Sequence, residues 1–261
     1  AAPPGVRYKG KQAGTIGDLG VFSFQETKNM MTGEGGIITT NNPDYARMCR
    51  IIRNHGEVVT QDNSTDEEVV NCIGFNLRMT ELTAALGVAQ LKKLDELNNV
   101  RKENGAFLLK ELSKIDGLTP PKIPDYVDYV PHILGFRYDE DKIGVPRALI
   151  IKALNEEGIP VASGYVRPRY MAPMFQRKIG YGKEGCPFKC PLYKGNVNYD
   201  KSQFPVSDEL VNKTFLWIYH IYKPATLADM KDIVKAFKKV FNNIEELKKV
   251  DLSKIKTDYS R

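Results

Sequence analysis

The first forty residues alternate short apolar runs with glycine. Residues 17–24 read GDLGVFSF and residues 32–40 read TGEGGIITT. Runs of this length bounded by glycine predict two strands joined through tight turns, with Lys28 on the connection. Residues 43–56, PDYARMCRIIRNHG, predict a helix that enters on Pro43 and leaves at Gly56. Residues 57–71 are polar and acidic and predict a surface excursion. From residue 80 apolar side chains return at helical spacing, beginning with Leu82, Ala85, Leu86 and Ala89, and the pattern runs on for many turns. Thr80 is a suitable N-cap, Glu81 suits the positive end of the helix, and Gly105 is the expected bend.

Past the proline-rich break at residues 119–131 the pattern changes. Residues 132–139 (HILGFRYD) predict a strand, 145–158 (VPRALIIKALNEEG) a helix ending at Gly158, and 159–166 (IPVASGYV) a second strand. Residues 167–205 are rich in Pro, Tyr, Gly and Asn and predict mainly loop. LWIYHIYK then reads as a strand and residues 225–244 as a closing amphipathic helix. The reading is an α/β chain: residues 1–100 belong to a larger domain, 101–245 form a smaller α+β domain, and 246–261 are a tail.

Composition narrows the function classes. The net charge of +6 sits largely on Lys-rich helical stretches, and a solvated face accounts for most of it. The remaining positive potential suits an anionic substrate. No basic run is interleaved with aromatics as in a nucleic-acid-binding module, so nucleic acid is not an expected partner. No apolar run reaches the roughly 20 residues of a membrane span, and the opening AAPPGVRYKGKQ lacks the apolar core of a secretory leader. Cys49 and Cys72 read as small core residues, whereas Cys186 and Cys190 frame a C-x3-C loop. No second pair or spaced histidine completes a metal site, so none is expected. A disulfide between Cys186 and Cys190 is the alternative; mostly reduced thiols and a cytoplasmic address are the default expectation. Residues 5–12, GVRYKGKQ, imitate a phosphate loop, but Gln12 stands where a hydroxyl is required and no strand precedes it.

The segment GTIGDLGVFSFQETKNMMTGEGGIITT carries the strongest signal. Phe22, Ser23 and Phe24 end a strand, Lys28 follows, and Gly33, Glu34, Gly35 and Gly36 make a glycine turn. In this order the residues resemble the DegT/DnrJ/EryC1 sugar aminotransferases. The resemblance extends through RNHG (residues 53–56) and GFNLRMTELTAALGVAQL (residues 74–91) and covers most of the chain. It implies the C-terminal part of a fold type I transferase large domain followed by a smaller α+β domain. It also implies pyridoxal 5'-phosphate as cofactor, and transfer of an amino group from an amino acid, glutamate first, to a nucleotide-linked keto-sugar in polysaccharide biosynthesis.

Roles for single residues follow from the same resemblance. Lys28 is the expected catalytic lysine that holds the cofactor covalently. A lysine amine of this kind is displaced by the substrate amine and then carries a proton between substrate and cofactor. Retention of Lys28 speaks against the related dehydratases, which carry histidine there. Ser23 is expected to bind the cofactor phosphate through its hydroxyl. Asn76 is expected to reach the phosphate held by the second copy of a homodimer, with Arg78 assisting. His55, Tyr165 and Arg167 are the expected substrate-binding residues, while His132 and His220 read as packed histidines on strands.

The resemblance further implies an acid, paired with the cofactor ring nitrogen, immediately before Ala1, and phosphate contacts further upstream. Neither lies within these 261 residues. A truncated product, a cleaved protein and one part of a split enzyme are the readings, and the chain alone is expected to be catalytically incomplete. The second functional class is a non-catalytic regulatory remnant of the same fold.

Overall fold

The computed structural model describes residues 4–57, 72–183, 185–189 and 191–251. The expected acidic excursion lies almost wholly outside the described residues, as do Cys190 and the end of the tail. In chain order the strands are β1 (Arg7–Tyr8), β2 (Lys11–Gln12), β3 (Gly20–Ser23), β4 (Gly36–Thr39), β5 (Leu118–Thr119), β6 (Val127–Asp128), β7 (Leu134–Tyr138), β8 (Val161–Ser163) and β9 (Phe215–Ile218). The principal helices are α1 (Pro43–Arg53), α2 (Glu81–Leu91), α3 (Leu94–Leu112), α4 (Glu140–Ile143), α5 (Arg147–Glu156), α6 (Pro173–Gln176), α7 (Pro205–Glu209), α8 (Leu227–Asn242) and α9 (Ile244–Lys248). Among the described residues no helix is long and apolar enough to cross a membrane.

The chain divides into two compact units. The first comprises residues 1–103 and 123–132, and the second residues 104–122 and 133–261. In the first, β3 and β4 pair antiparallel with Phe22 opposite Ile37 and Ser23 opposite Gly36. A small antiparallel sheet of order β2-β1-β6 lies in the same unit. α1 begins as the sequence predicts, on Pro43. Asn42 caps it, its side-chain oxygen accepting from the N–H groups of Asp44 and Tyr45. Only Ile51 of α1 is buried. That explains why Cys49 is half-buried instead of in a core; Cys72 is likewise half-buried.

The long helix differs from the expectation. It breaks at Lys92–Lys93, while Gly105 lies buried inside an unbroken α3. At the break Lys93 donates to the carbonyl of Gln90, three residues back, so the last turn tightens and the helix ends. The intrinsic cost of glycine in a helix is about 1 kcal/mol, which tertiary packing readily outweighs.

The second unit is a four-stranded antiparallel sheet of order β5-β7-β9-β8. Leu134, Phe136 and Tyr138 of β7 and Leu216 and Ile218 of β9 are buried at alternate positions. α8 supplies Met230, Ile233, Val234 and Phe237 to the core, and α5 supplies Leu149, Ile150 and Leu154. α8 starts in a reciprocal capping box between Thr226 and Asp229. Arg147, at the start of α5, is 1% exposed. Its guanidinium donates to the carbonyls of Leu210, Val211, Asn212 and Phe215 at 2.8–3.4 Å. These carbonyls lie in a π-helical turn (Leu210–Thr214) and at the first residue of β9. His132 and His220 both fall just outside the strands, because β7 starts at Leu134 and β9 stops at Ile218.

Candidate active site

Lys28 sits on the connection between β3 and β4, where local hydrogen bonds set the backbone. Phe24 N–H donates to Gly35 O at 2.8 Å and Thr32 N–H to Phe24 O at 2.9 Å, closing the base of the loop. Lys28 N–H donates to Gln25 O at 2.9 Å. The Gln25 side-chain oxygen accepts from Thr27 N–H and from Thr27 Oγ1, at 3.0 and 2.6 Å. Polar side chains bonding to nearby backbone hold such a turn without regular secondary structure. Gly35 has φ +151, and a Cβ there would lie 2.8 Å from both Met79 Cε and Thr32 Oγ1. Only glycine fits that position.

The Lys28 side chain is half-buried. Among the described residues its amine has no hydrogen-bond or ion-pair partner. Five residues earlier, Ser23 Oγ accepts from Gln25 N–H at 3.3 Å, so its own hydroxyl hydrogen remains available to donate. His132 lies within the electrostatic reach of Lys28. Its pKa is lowered from 6.5 to about 4, first by burial and then by the charges of Lys28 and Arg101. The imidazole is therefore neutral at pH 7. Arg101, 4% exposed, holds the backbone at this point by donating to the carbonyls of Pro131 and His132, at 3.4 and 3.3 Å.

A second cluster joins RNHG to GFNLR. Asn54 and Asn76 form an antiparallel bridge. His55 N–H donates to Phe75 O, and Leu77 N–H to Arg53 O, at 3.0 and 2.9 Å. Arg78 spans the two segments. Nε donates to Asn76 Oδ1 at 3.1 Å, Nη1 donates to Asn54 Oδ1 at 3.1 Å, and Nη2 lies 3.3 Å from His55 Nε2. An arginine has donors only, so His55 Nε2 is the acceptor and Nδ1 carries the proton. His55 adopts φ +62, an uncommon conformation for a non-glycine residue.

Thus Ser23 and Lys28 share one ribbon, and His55, Asn76 and Arg78 share another cluster. Among the described residues no hydrogen bond joins the two groups. Tyr165 and Arg167 lie in the second unit after β8, both exposed, with Tyr165 packed edge-on to Trp217 at 5.8 Å. Sequence reading passed over Asn54, although it stands inside RNHG. It also treated His132 as packing only, because no local pattern signals its approach to Lys28.

These residues fit pyridoxal phosphate. A half-buried amine without a partner among the described residues suits covalent capture of an aldehyde, and a hydroxyl that donates to none of them suits a phosphate oxygen.

Two curated relatives and one solved structure place the chain. The spore coat polysaccharide biosynthesis protein SpsC of Bacillus subtilis is 33% identical over 73% of this chain and 50% of its own length. The UDP-4-amino-4,6-dideoxy-N-acetyl-beta-L-altrosamine transaminase of Campylobacter jejuni is 30% identical over 67% of this chain and 46% of its own. An aminotransferase structure from Psychrobacter cryohalolentis superposes with a TM-score of 0.73 at 26% identity, covering 92% of this chain and 60% of that one. The chain therefore spans about half the length of the curated relatives, and its mixed α/β fold is that of part of a fold type I transferase. The sequence model of the DegT/DnrJ/EryC1/StrS aminotransferase family matches residues 1–190, and the chain belongs to that family.

Proposed function

We propose that this chain is the lysine-bearing part of a pyridoxal-phosphate-dependent aminotransferase that moves an amino group from an amino acid, glutamate first, to a nucleotide-linked keto-sugar in the cytoplasm. The observation that carries the reading is the half-buried Lys28 amine, without a partner among the described residues, on a glycine-closed turn within the family match. Relatives named as a UDP-sugar transaminase and as L-glutamine:2-deoxy-scyllo-inosose aminotransferases support a sugar-like acceptor and make glutamine the second donor to test.

Pyridoxal phosphate supplies an aldehyde for covalent capture and a conjugated ring that withdraws electrons from the reacting carbon. Lys28 Nζ would hold that aldehyde covalently and would serve as the base that moves the proton. Ser23 donates its hydroxyl hydrogen to the phosphate. Asn76 and Arg78 serve the phosphate bound by a second copy; among the described residues neither is hydrogen-bonded to Ser23 or Lys28. Ile73, Phe75 and Leu77, on the segment that carries Asn76, are 91%, 64% and 63% exposed, and such an apolar strip suits burial between two copies. His55, Tyr165 and Arg167 are assigned to the sugar nucleotide.

The test is spectral. Pyridoxal phosphate added to the protein should give a yellow absorbance that borohydride bleaches, and Lys28→Ala should remove it. Conversion to the pyridoxamine form by glutamate separates an aminotransferase from a non-catalytic remnant of the fold. A chain that stays colourless when the upstream part of the family fold is supplied refutes the reading.

A further inference from the structure

Three distant segments of the first unit meet at two buried carboxamides. Asn29 directly follows Lys28, Asn98 lies in the second turn of α3, and Pro4 stands near the start of the described chain. Asn98 Nδ2 donates to the carbonyl of Pro4 at 2.9 Å, and Asn29 Nδ2 donates to Asn98 Oδ1 at 3.4 Å. Both asparagines are 4% exposed. A carbonyl can only accept, so Pro4 dictates which end of the Asn98 amide faces it. The oxygen of Asn98 must then face Asn29, and Asn29 must present its NH2 group. The pair is thus a directional relay from the chain near Pro4, through α3, to the residue beside the reactive lysine.

Close approach is built into the backbone. Gly5 has φ +105, and a Cβ at that position would lie 2.2 Å from Asn98 Nδ2. The remaining acceptor, Asn29 Oδ1, is buried without a partner among the described residues. Burying amides in this way is unfavourable compared with apolar packing. What two amides add, and two leucines could not, is a fixed direction for each contact.

We propose that Asn29 and Asn98 are positioning residues that hold the Lys28 turn against α3, so that the lysine amine meets its carbonyl partner in one geometry. The inference deepens the proposed function, because it rests on Lys28 being the reactive lysine. Neither asparagine touches a reacting atom. They act through the backbone of residue 28.

The test uses the 261-residue chain with two substitutions. Asn98→Leu removes both rungs of the relay, and Asn29→Ala removes the one beside the lysine. Amide exchange across residues 25–32 should quicken about tenfold in each variant, in proportion to the loss of a hydrogen bond. The fraction of protein trapped by borohydride at a fixed pyridoxal phosphate concentration should fall about fivefold, and the pH midpoint of the yellow absorbance should move, since a shifted amine meets a different field. A lowered melting temperature alone does not support the proposal. Exchange and pH midpoint both matching the parent protein in a folded Asn29→Ala variant overturn it, and this variant also decides the matter if Asn98→Leu does not fold. A parent chain with no bleachable absorbance even when the upstream part of the family fold is supplied refutes the proposed function, while the exchange measurement still decides whether the relay holds the turn.

Discussion

The guanidinium of Arg78 donates from Nη1 to Oδ1 of Asn54 at 3.1 Å, tying the segment before α2 to the end of α1. The same side chain meets Asn76 and His55, so one residue joins the side chains of Asn54, His55 and Asn76. Arg78→Lys keeps the charge but loses the planar fork of donors. The expected result is about tenfold weaker binding of pyridoxal phosphate in the assembled protein, measured by absorbance titration.

Lys28→Ala is expected to leave stability within about 0.5 kcal/mol of the parent, as substitutions away from any paired group usually do. The same variant removes one of the two cations that act on His132. The His132 titration, followed by proton NMR, should therefore move up from about 4. A midpoint that stays in place would break the link between the two residues.

Acid should destabilise the fold through His132. Its folded pKa, about 4, lies below the 6.5 of a free histidine, so between these values the unfolded chain binds more protons. The contribution is complete above pH 6.5 and is lost as pH falls toward 4. Melting temperatures measured across this window should fall for the parent protein and slope less steeply for His132→Gln.

Arg147→Leu is the substitution expected to harm the second unit most. It strands the part-buried carbonyls of Leu210, Val211, Asn212 and Phe215, which now accept from one buried guanidinium. Loss of about 3 kcal/mol is expected, the scale for breaking a buried charged network, read from the midpoint of urea unfolding.

Much of this architecture was legible because its causes are local. Glycine-cut apolar runs and a proline-started helix announced the β3–β4 ribbon and α1, and they placed Lys28 between the strands. The break at Lys92–Lys93 was hidden because Leu91 and Leu94 continue the helical spacing across it. What distinguishes the break is a switch to three-residue bonding, which leaves no mark on the pattern. The surroundings of Lys28 were illegible for another reason. His132, Arg101 and Asn98 come from remote stretches, and no periodicity encodes which of them the fold delivers to one turn.

His55 links stability to function in opposite directions. Its backbone is held at φ +62, where glycine rests without strain, while its ring nitrogen completes the contacts of Arg78. His55→Gly is expected to raise the melting temperature slightly by relieving a strain of about 1 kcal/mol, and at the same time to loosen the arginine. Selection for heat resistance alone would thus drift toward a sturdier protein with a less firmly held Arg78, and any engineering of this scaffold must choose between the two at that residue.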